Sequence, residues 1–234
     1  YVVGSTCKLS GHTVESNVAD GDGGGLYVKD ASAAVVVDTS SKIRSNKGVN
    51  GGGVYTDASS VTVDTSTVTD NEASGNGGAC YAINTGAKVV LTNAATNVMG
   101  NTAVDGGGLY LGSAAQATIT DATLKSNTAS SNGGGMYATA AQATMTGATL
   151  ENNTASSSGG GVYATGVTTL TSTNGKVLSN KATAGYGGGW AVEAGGDLNL
   201  TSGETSSNTA KLTGGGVYVV GSTCKLSGHT VESN

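Results

Sequence analysis

The sequence predicts an all-β fold, a right-handed parallel β-helix (β-solenoid) with three short strands per coil. Three observations predict it. A glycine-rich corner followed by an apolar residue and a tyrosine recurs every 26 to 29 residues. An apolar residue stands three positions before an asparagine at the same spacing. Between these markers apolar and polar residues alternate, which is the period of a strand rather than a helix. A unit of about 27 residues built this way cannot bury its apolar face alone, so it stacks on copies of itself.

The first marker, Gly-Gly-(Gly/Ala)-apolar-Tyr, begins at Gly23, Gly51, Gly77, Gly106, Gly133, Gly159, Gly187 and Gly214. It suits corners where the backbone takes positive φ and no side chain fits between coils. The tyrosines, Tyr1, Tyr27, Tyr55, Tyr81, Tyr110, Tyr137, Tyr163 and Tyr218, follow an inward apolar residue and are therefore expected as an exposed outer stack; Trp190-Ala191 is the variant. The second marker places Asn17, Asn46, Asn71, Asn101, Asn127, Asn153, Asn180, Asn208 and Asn234 in one column. Asparagine tolerates left-handed conformations and can hydrogen-bond from coil to coil, so this column is expected to shape the other corner. Three residues before it stand Val14, Ile43, Val68, Val98, Leu124, Leu150, Val177 and Val231, with Thr205 the exception. The intervening alternation is clearest where Ala117 and Ile119 interleave with Thr118 and Thr120, and Ala143 and Met145 with Thr144 and Thr146.

Residues 1–17, YVVGSTCKLSGHTVESN, recur unchanged as residues 218–234. The chain therefore reads as one continuous solenoid, residues 1–234, with eight coils in a 217-residue period and the opening of the next. Parallel strands spaced at about 4.8 Å advance about 38 Å over eight coils, and parallel crossovers favour right-handed winding. The expected partner is the protein itself, end to end through neighbouring periods and laterally between filaments. The expected role is structural, in an extracellular or cell-surface fibre.

Composition narrows the alternatives. With 40 glycines and no proline or phenylalanine the chain could pass for a disordered low-complexity segment, but disorder has no need of apolar residues at a fixed phase. A net charge of −5 with scattered Lys and Arg offers nothing to a phosphate backbone, so no nucleic-acid partner is expected. No apolar run reaches the length of a membrane span, and no signal segment opens the chain. The missing initiator Met reads as an excised or mature segment.

Each candidate site residue also has a plainer role. Asp38 and Asp64 share an outer column in adjacent coils, about 5 Å apart, a spacing that suits a retaining glycosidase or a Ca²⁺ ligand pair; the sole arginine, Arg44, is not placed beside them. His12 and His229 are one repeat position without a nucleophile, and Cys7, Cys80 and Cys224 fall in inward phase as buried thiols. No catalytic residue, metal or cofactor is therefore expected. Thr118/Thr120, Thr144/Thr146 and Thr169/Thr171, extended by Thr92 and Thr201, form an outer Thr array of the kind ice-binding solenoids carry, interrupted by Val36, Val90, Asp38, Asp64 and Lys225. Asn152 and Asn199 head glycosylation sequons, which makes glycans a candidate partner. The longest coils, Tyr27–Asn46 and Tyr81–Asn101, carry their additions near 30–34 and 84–87, expected as bulges on one corner.

The glycine marker followed by apolar-x-x-Asn-Thr-Ala resembles the repeat of the chlamydial-type polymorphic outer membrane proteins, with its GGA(I/L/V) and FxxN motifs. The resemblance runs over essentially the whole chain in eight copies, with Leu, Val or Ile in place of Phe. It implies a pectate-lyase-like right-handed β-helix at a cell surface. It also implies a second role, an autotransporter-like adhesin passenger that binds a glycan or protein through the Tyr column or the corner bulges. A polysaccharide-active enzyme is the third.

Overall fold

The computed structural model describes residues 1–166 and 168–234. Its described residues form parallel strands stacked as a β-solenoid of about nine turns in three sheets. The first sheet collects the strand after each glycine corner, from Val2–Val3 and Leu26–Lys29 to Val217–Val220. In it Tyr27, Tyr55, Tyr81, Tyr110, Tyr137 and Tyr163 pair in register, and Tyr163, Ala191 and Tyr218 continue the column. The third sheet is a stack of two-residue strands, Lys47–Gly48 to Thr209–Ala210.

The second sheet has two designs. In the early coils it consists of a five-residue and a three-residue strand, such as Gln116–Thr120 and Thr123–Lys125, separated by a tight turn with Asp121 at φ 57°. In the last three coils the two fuse into ten-residue strands, Thr169–Leu178, Asp197–Ser206 and Thr223–Glu232. The bend survives within them as positive φ at Asn174 and Gly203.

The interior is one column-built core. Leu91, Ile119 and Met145 stack on the second sheet, followed by Ser172 and Leu200, and Leu109, Met136, Val162 and Trp190 stack on the first, all buried.

The extra length of the long coils is divided between two corners. Asp30 (φ 83°) and Asn84 (φ 75°) open the foreseen turns, closed by Ala33 and Ala87 donating to the carbonyls of Asp30 and Asn84 at 2.8 and 3.0 Å. The remaining residues lie one corner later, at Thr39–Ser41 and Asn93–Thr96, where Thr39, Ser40 and Asn93 have positive φ. The expectation of bulges on a single corner is corrected accordingly.

Candidate functional site

The glycine and asparagine motifs meet in space. The two-residue strands make one side of each coil so short that the corners flanking it touch: a Cβ on Gly135 would stand 3.1 Å from the amide nitrogen of Asn153, and one on Gly108 would stand 3.2 Å from that of Asn127. The asparagines hold the other corner, one short side away from the glycines. They do not take the left-handed backbone themselves. That conformation falls on the preceding residue, at Ser45, Asp70, Gly100, Ser126, Asn152, Ser179 and Ser207 (φ 54–69°). Freed from the turn, the asparagine side chain points inward, and Asn46, Asn71, Asn101, Asn127, Asn153, Asn180 and Asn208 are wholly buried.

Burial of so many amides demands full hydrogen bonding, and the ladder supplies it. The backbone N–H and Nδ2 of Asn127 both donate to Oδ1 of Asn153 at 3.0 Å, and Nδ2 also donates back to the carbonyl of Val98 at 3.0 Å. Its own Oδ1 accepts the same pair from Asn101 at 3.1 and 2.9 Å. The pattern runs from Asn17 to Asn234, each interior amide joining three coils, with every donor to an asparagine Oδ1 aimed toward the C-terminal end.

A second ladder escaped the sequence reading. The residue before each of the first five glycine corners accepts from the next coil: Oδ1 of Asp22 from Asn50 N (3.1 Å), Oδ1 of Asn50 from Asn76 N (3.0 Å), Oδ1 of Asn76 from Asp105 N (3.2 Å), Oδ1 of Asp105 from Asn132 N (2.9 Å) and Oδ1 of Asn132 from Ser158 N (3.1 Å). Its signal was the Asp, Asn or Ser just ahead of most glycine triplets. Its donors point toward the N-terminal end, opposite to those of the buried ladder.

The glycines divide their tasks. Gly23, Gly51, Gly77, Gly106, Gly133, Gly159, Gly187 and Gly214 all adopt positive φ, between 61° and 72°. The glycine after each is needed for space: a Cβ on Gly134 would lie 2.5 Å from the carbonyl oxygens of both Gly160 and Thr154. The third position is as close, a Cβ on Gly135 standing 2.6 Å from Gly161 O, yet one coil accommodates Ala79 there, fully buried, with its N–H still bonded to Gly108 O at 3.0 Å.

The two sequence exceptions turn out to be one feature. Trp190 is wholly buried in the inward column of the first sheet, and its Nε1–H needs an acceptor. Thr205, where other coils carry an aliphatic residue, accepts from it at 3.1 Å, and the Thr205 hydroxyl also lies 3.0 Å from Nε2 of His229. We expect Thr205→Val to cost roughly 1–3 kcal/mol by stranding the indole. Adding Trp190→Phe should recover most of that in a double-mutant cycle read by denaturant unfolding.

On the outside the tyrosines form a stack with centroids 4.7–5.4 Å apart from Tyr1 to Tyr163. Where Ala191 breaks the column, Tyr186 from the preceding loop fills the gap and stacks on Tyr218 at 4.6 Å. The rings cover one another, so the column is half-buried rather than exposed, and Tyr81 is buried at 9%; only Tyr1, at the end, is open at 87%. Burial raises the phenol of Tyr55, Tyr110 and Tyr163 and pushes Tyr81 and Tyr137 up to about 12. Because the folded phenols ionise later than unfolded ones, their contribution to stability is complete below pH of about 10 and is lost as pH rises toward 12. A phenolate absorbance titration should rise late and together with loss of β-sheet circular dichroism; titration complete near pH 10 with the fold intact would contradict it.

The remaining candidates are placed as follows. Asp38 is held by Lys8 at 3.0 Å, by Thr39 and by Ser10, and the hydrogen bonds from Ser10 and Lys8 keep its carboxyl below the usual range. Asp64 follows in the next coil, and Arg44 pairs with Glu15, away from both. The threonine columns align Thr118 with Thr144 and Thr171, and Thr92 with Thr120, Thr146, Thr173 and Thr201, so Thr173 takes the register position assigned to Thr171, and Thr169 lies opposite Gln142. Asn152 is exposed and Asn199 half-buried on the outer face. Cys80 is buried and its thiol is pushed up to about 12 by desolvation, whereas Cys7 is half-buried and Cys224 exposed, because their coils have a neighbour on one side. Among the described residues no group of three or more His, Cys, Asp or Glu is arranged to hold a metal, and no helix is long and apolar enough to cross a membrane.

Fold and ladders together define a tandem-repeat parallel β-solenoid whose corners are set by glycine and a buried asparagine spine. Residues 65–83 and 147–165 match the family model described as Chlamydia polymorphic membrane protein (Chlamydia_PMP) repeat. Each matched stretch runs from the second-sheet turn through the asparagine and glycine corners to the end of the tyrosine strand, so the similarity falls on the residues that build the spine. No curated protein and no solved structure matches the chain significantly.

Proposed function

We propose that the chain is a section of an extracellular structural fibre in which 217-residue periods continue as one solenoid. The observation that supports this reading is the repeated 17-residue coil. As residues 1–17 it pairs with the coil after it, Cys7 opposite Val35; as residues 218–234 it pairs with the coil before it, Cys224 opposite Leu198. The same sequence thus fits neighbours on both edges, and the two halves combine into an interior junction with no new type of contact. Unbroken parallel pairing leaves no free sheet edge within the array, and nearest-neighbour coupling lets it extend without limit.

The match to polymorphic membrane protein repeats favours a second reading, a cell-surface adhesin whose solenoid holds a binding region away from the membrane. Electron micrographs of the native surface material separate the two. Long uniform filaments support the fibre; single rods tethered at one end support the adhesin.

A further inference from the structure

The outer face of the second sheet carries a pattern that the stacking of coils does not use. Successive coils contribute the strands Lys88–Thr92, Gln116–Thr120 and Gln142–Thr146 and the first halves of Thr169–Leu178 and Asp197–Ser206. The first, third and fifth residues of each point outward, and none of them is buried. Threonine dominates these positions. Only Lys88 and Asp197 are charged, and they stand at opposite ends of one column with Gln142 midway. Among the described residues neither has an ion-pair partner, and the Asp197 carboxylate accepts one hydroxyl, that of Thr223.

We propose that this face is a contact between two copies of the chain, laid side by side and antiparallel about a twofold axis that runs along the strand Gln142–Thr146. Such an axis keeps each residue's place along its strand and reverses the order of the coils. It therefore sets Lys88 of each chain over Asp197 of the other, and sets Thr120 on Thr173, Thr118 on Thr171 and Thr144 on itself. An isologous contact is satisfied only when its axis exchanges opposite charges, and here the axis does so for both charges of the face. Two copies laid parallel would instead run their strands in opposite directions, bringing Lys88 to Thr92 and Asp197 to Thr201 and leaving both charges unpaired. The antiparallel arrangement also places the longest second-sheet corner, residues 93–96, beside residues 202–203 of the other chain, where the strand continues without a loop. Small side chains let the two sheets pack face to face at about 10 Å with like residues interdigitating. The strands cover about 400 Å² per chain, about half of what a stable complex buries, so single chains pair weakly and reversibly. The face lies within one chain, and the pairing does not depend on the continuation of periods.

Equilibrium sedimentation of the full chain, carried to millimolar concentration, provides the test. The mass should rise toward that of a dimer. Lys88→Asp and Asp197→Lys should each weaken the association at least about tenfold, because each sets like charges face to face at both ends of the contact. An equimolar mixture of the two variants should recover the association of the unsubstituted chain, since every facing pair is then opposite in sign. Thr144→Lys, which brings two ammonium groups together at the axis, should weaken it as the single charge changes do. All three positions are exposed, so circular dichroism should report the same fold for every variant. A chain that stays monomeric at millimolar concentration, variants that associate as the unsubstituted chain does, or a mixture as weak as its components overturns the proposal. A monomeric chain that produces thermal hysteresis overturns it too and gives the threonine face to ice.

Discussion

Asn127→Ala should destabilise the solenoid by about 4 kcal/mol, the sum of stranded polar groups and a small cavity. The substitution removes the acceptor for two donors of Asn101 and the donor to Val98 O, all in a wholly buried site. Because each coil couples chiefly to its neighbours, the loss falls on the interfaces that Asn127 bridges. We expect the single denaturant transition to split into two, with amide exchange accelerated first around residues 101–127. Asn127→Asp should be at least as damaging at neutral pH. One of its oxygens still accepts from Asn101, but the other then faces the Val98 carbonyl and the Asn153 amide oxygen, acceptor against acceptor. Protonation relieves that clash, so this variant's stability should improve as pH falls, whereas that of Asn127→Ala should not. An Asn127→Ala chain that unfolds in one transition at unchanged denaturant would refute the role given to the spine.

Gly134→Ala is the second large effect. The added methyl meets the carbonyl oxygens of Gly160 and Thr154 at 2.5 Å, and both are backbone in a ladder that fixes coil spacing. Neither can rotate away, so the coils must separate locally. The expected cost is about 3 kcal/mol, which lowers the melting temperature by roughly 6–12 °C in a chain of this size. Gly135→Ala is the matched control. It adds the same methyl one residue later, 2.6 Å from the carbonyl oxygen of Gly161, at a position where Ala79 is already accommodated in another coil, and should cost less than Gly134→Ala, about 1–2 kcal/mol. Equal melting temperatures for the two variants would show that coil spacing is not set at this corner.

The fold was legible because a solenoid repeats its evidence: each coil restates the same alternation, and register follows from aligning the tyrosines. The corners were legible as motifs but not as geometry. Nothing in a one-dimensional spacing says that the side between Asn153 and Gly159 is two paired residues long, short enough to press Asn153 against Gly135. Without that contact, asparagine was read by its propensity for left-handed turns, whereas the turn belongs to Asn152 and the amide of Asn153 to the core. The pairing of Trp190 with Thr205 was hidden for a related reason. The two lie 15 residues apart on different sheets, and only the closing of the coil brings the indole to its acceptor. The half-burial of the tyrosines is likewise a property of the stack, since each ring is covered by copies of itself.

The claim that periods continue as a single solenoid is tested most directly by the length of purified chains of one, two and three periods, measured by electron microscopy or small-angle scattering. Eight coils per period at about 4.8 Å each predict straight rods that lengthen by about 38 Å per added period at constant cross-section. Beads joined by flexible links, or a cross-section that grows while the length does not, would contradict it.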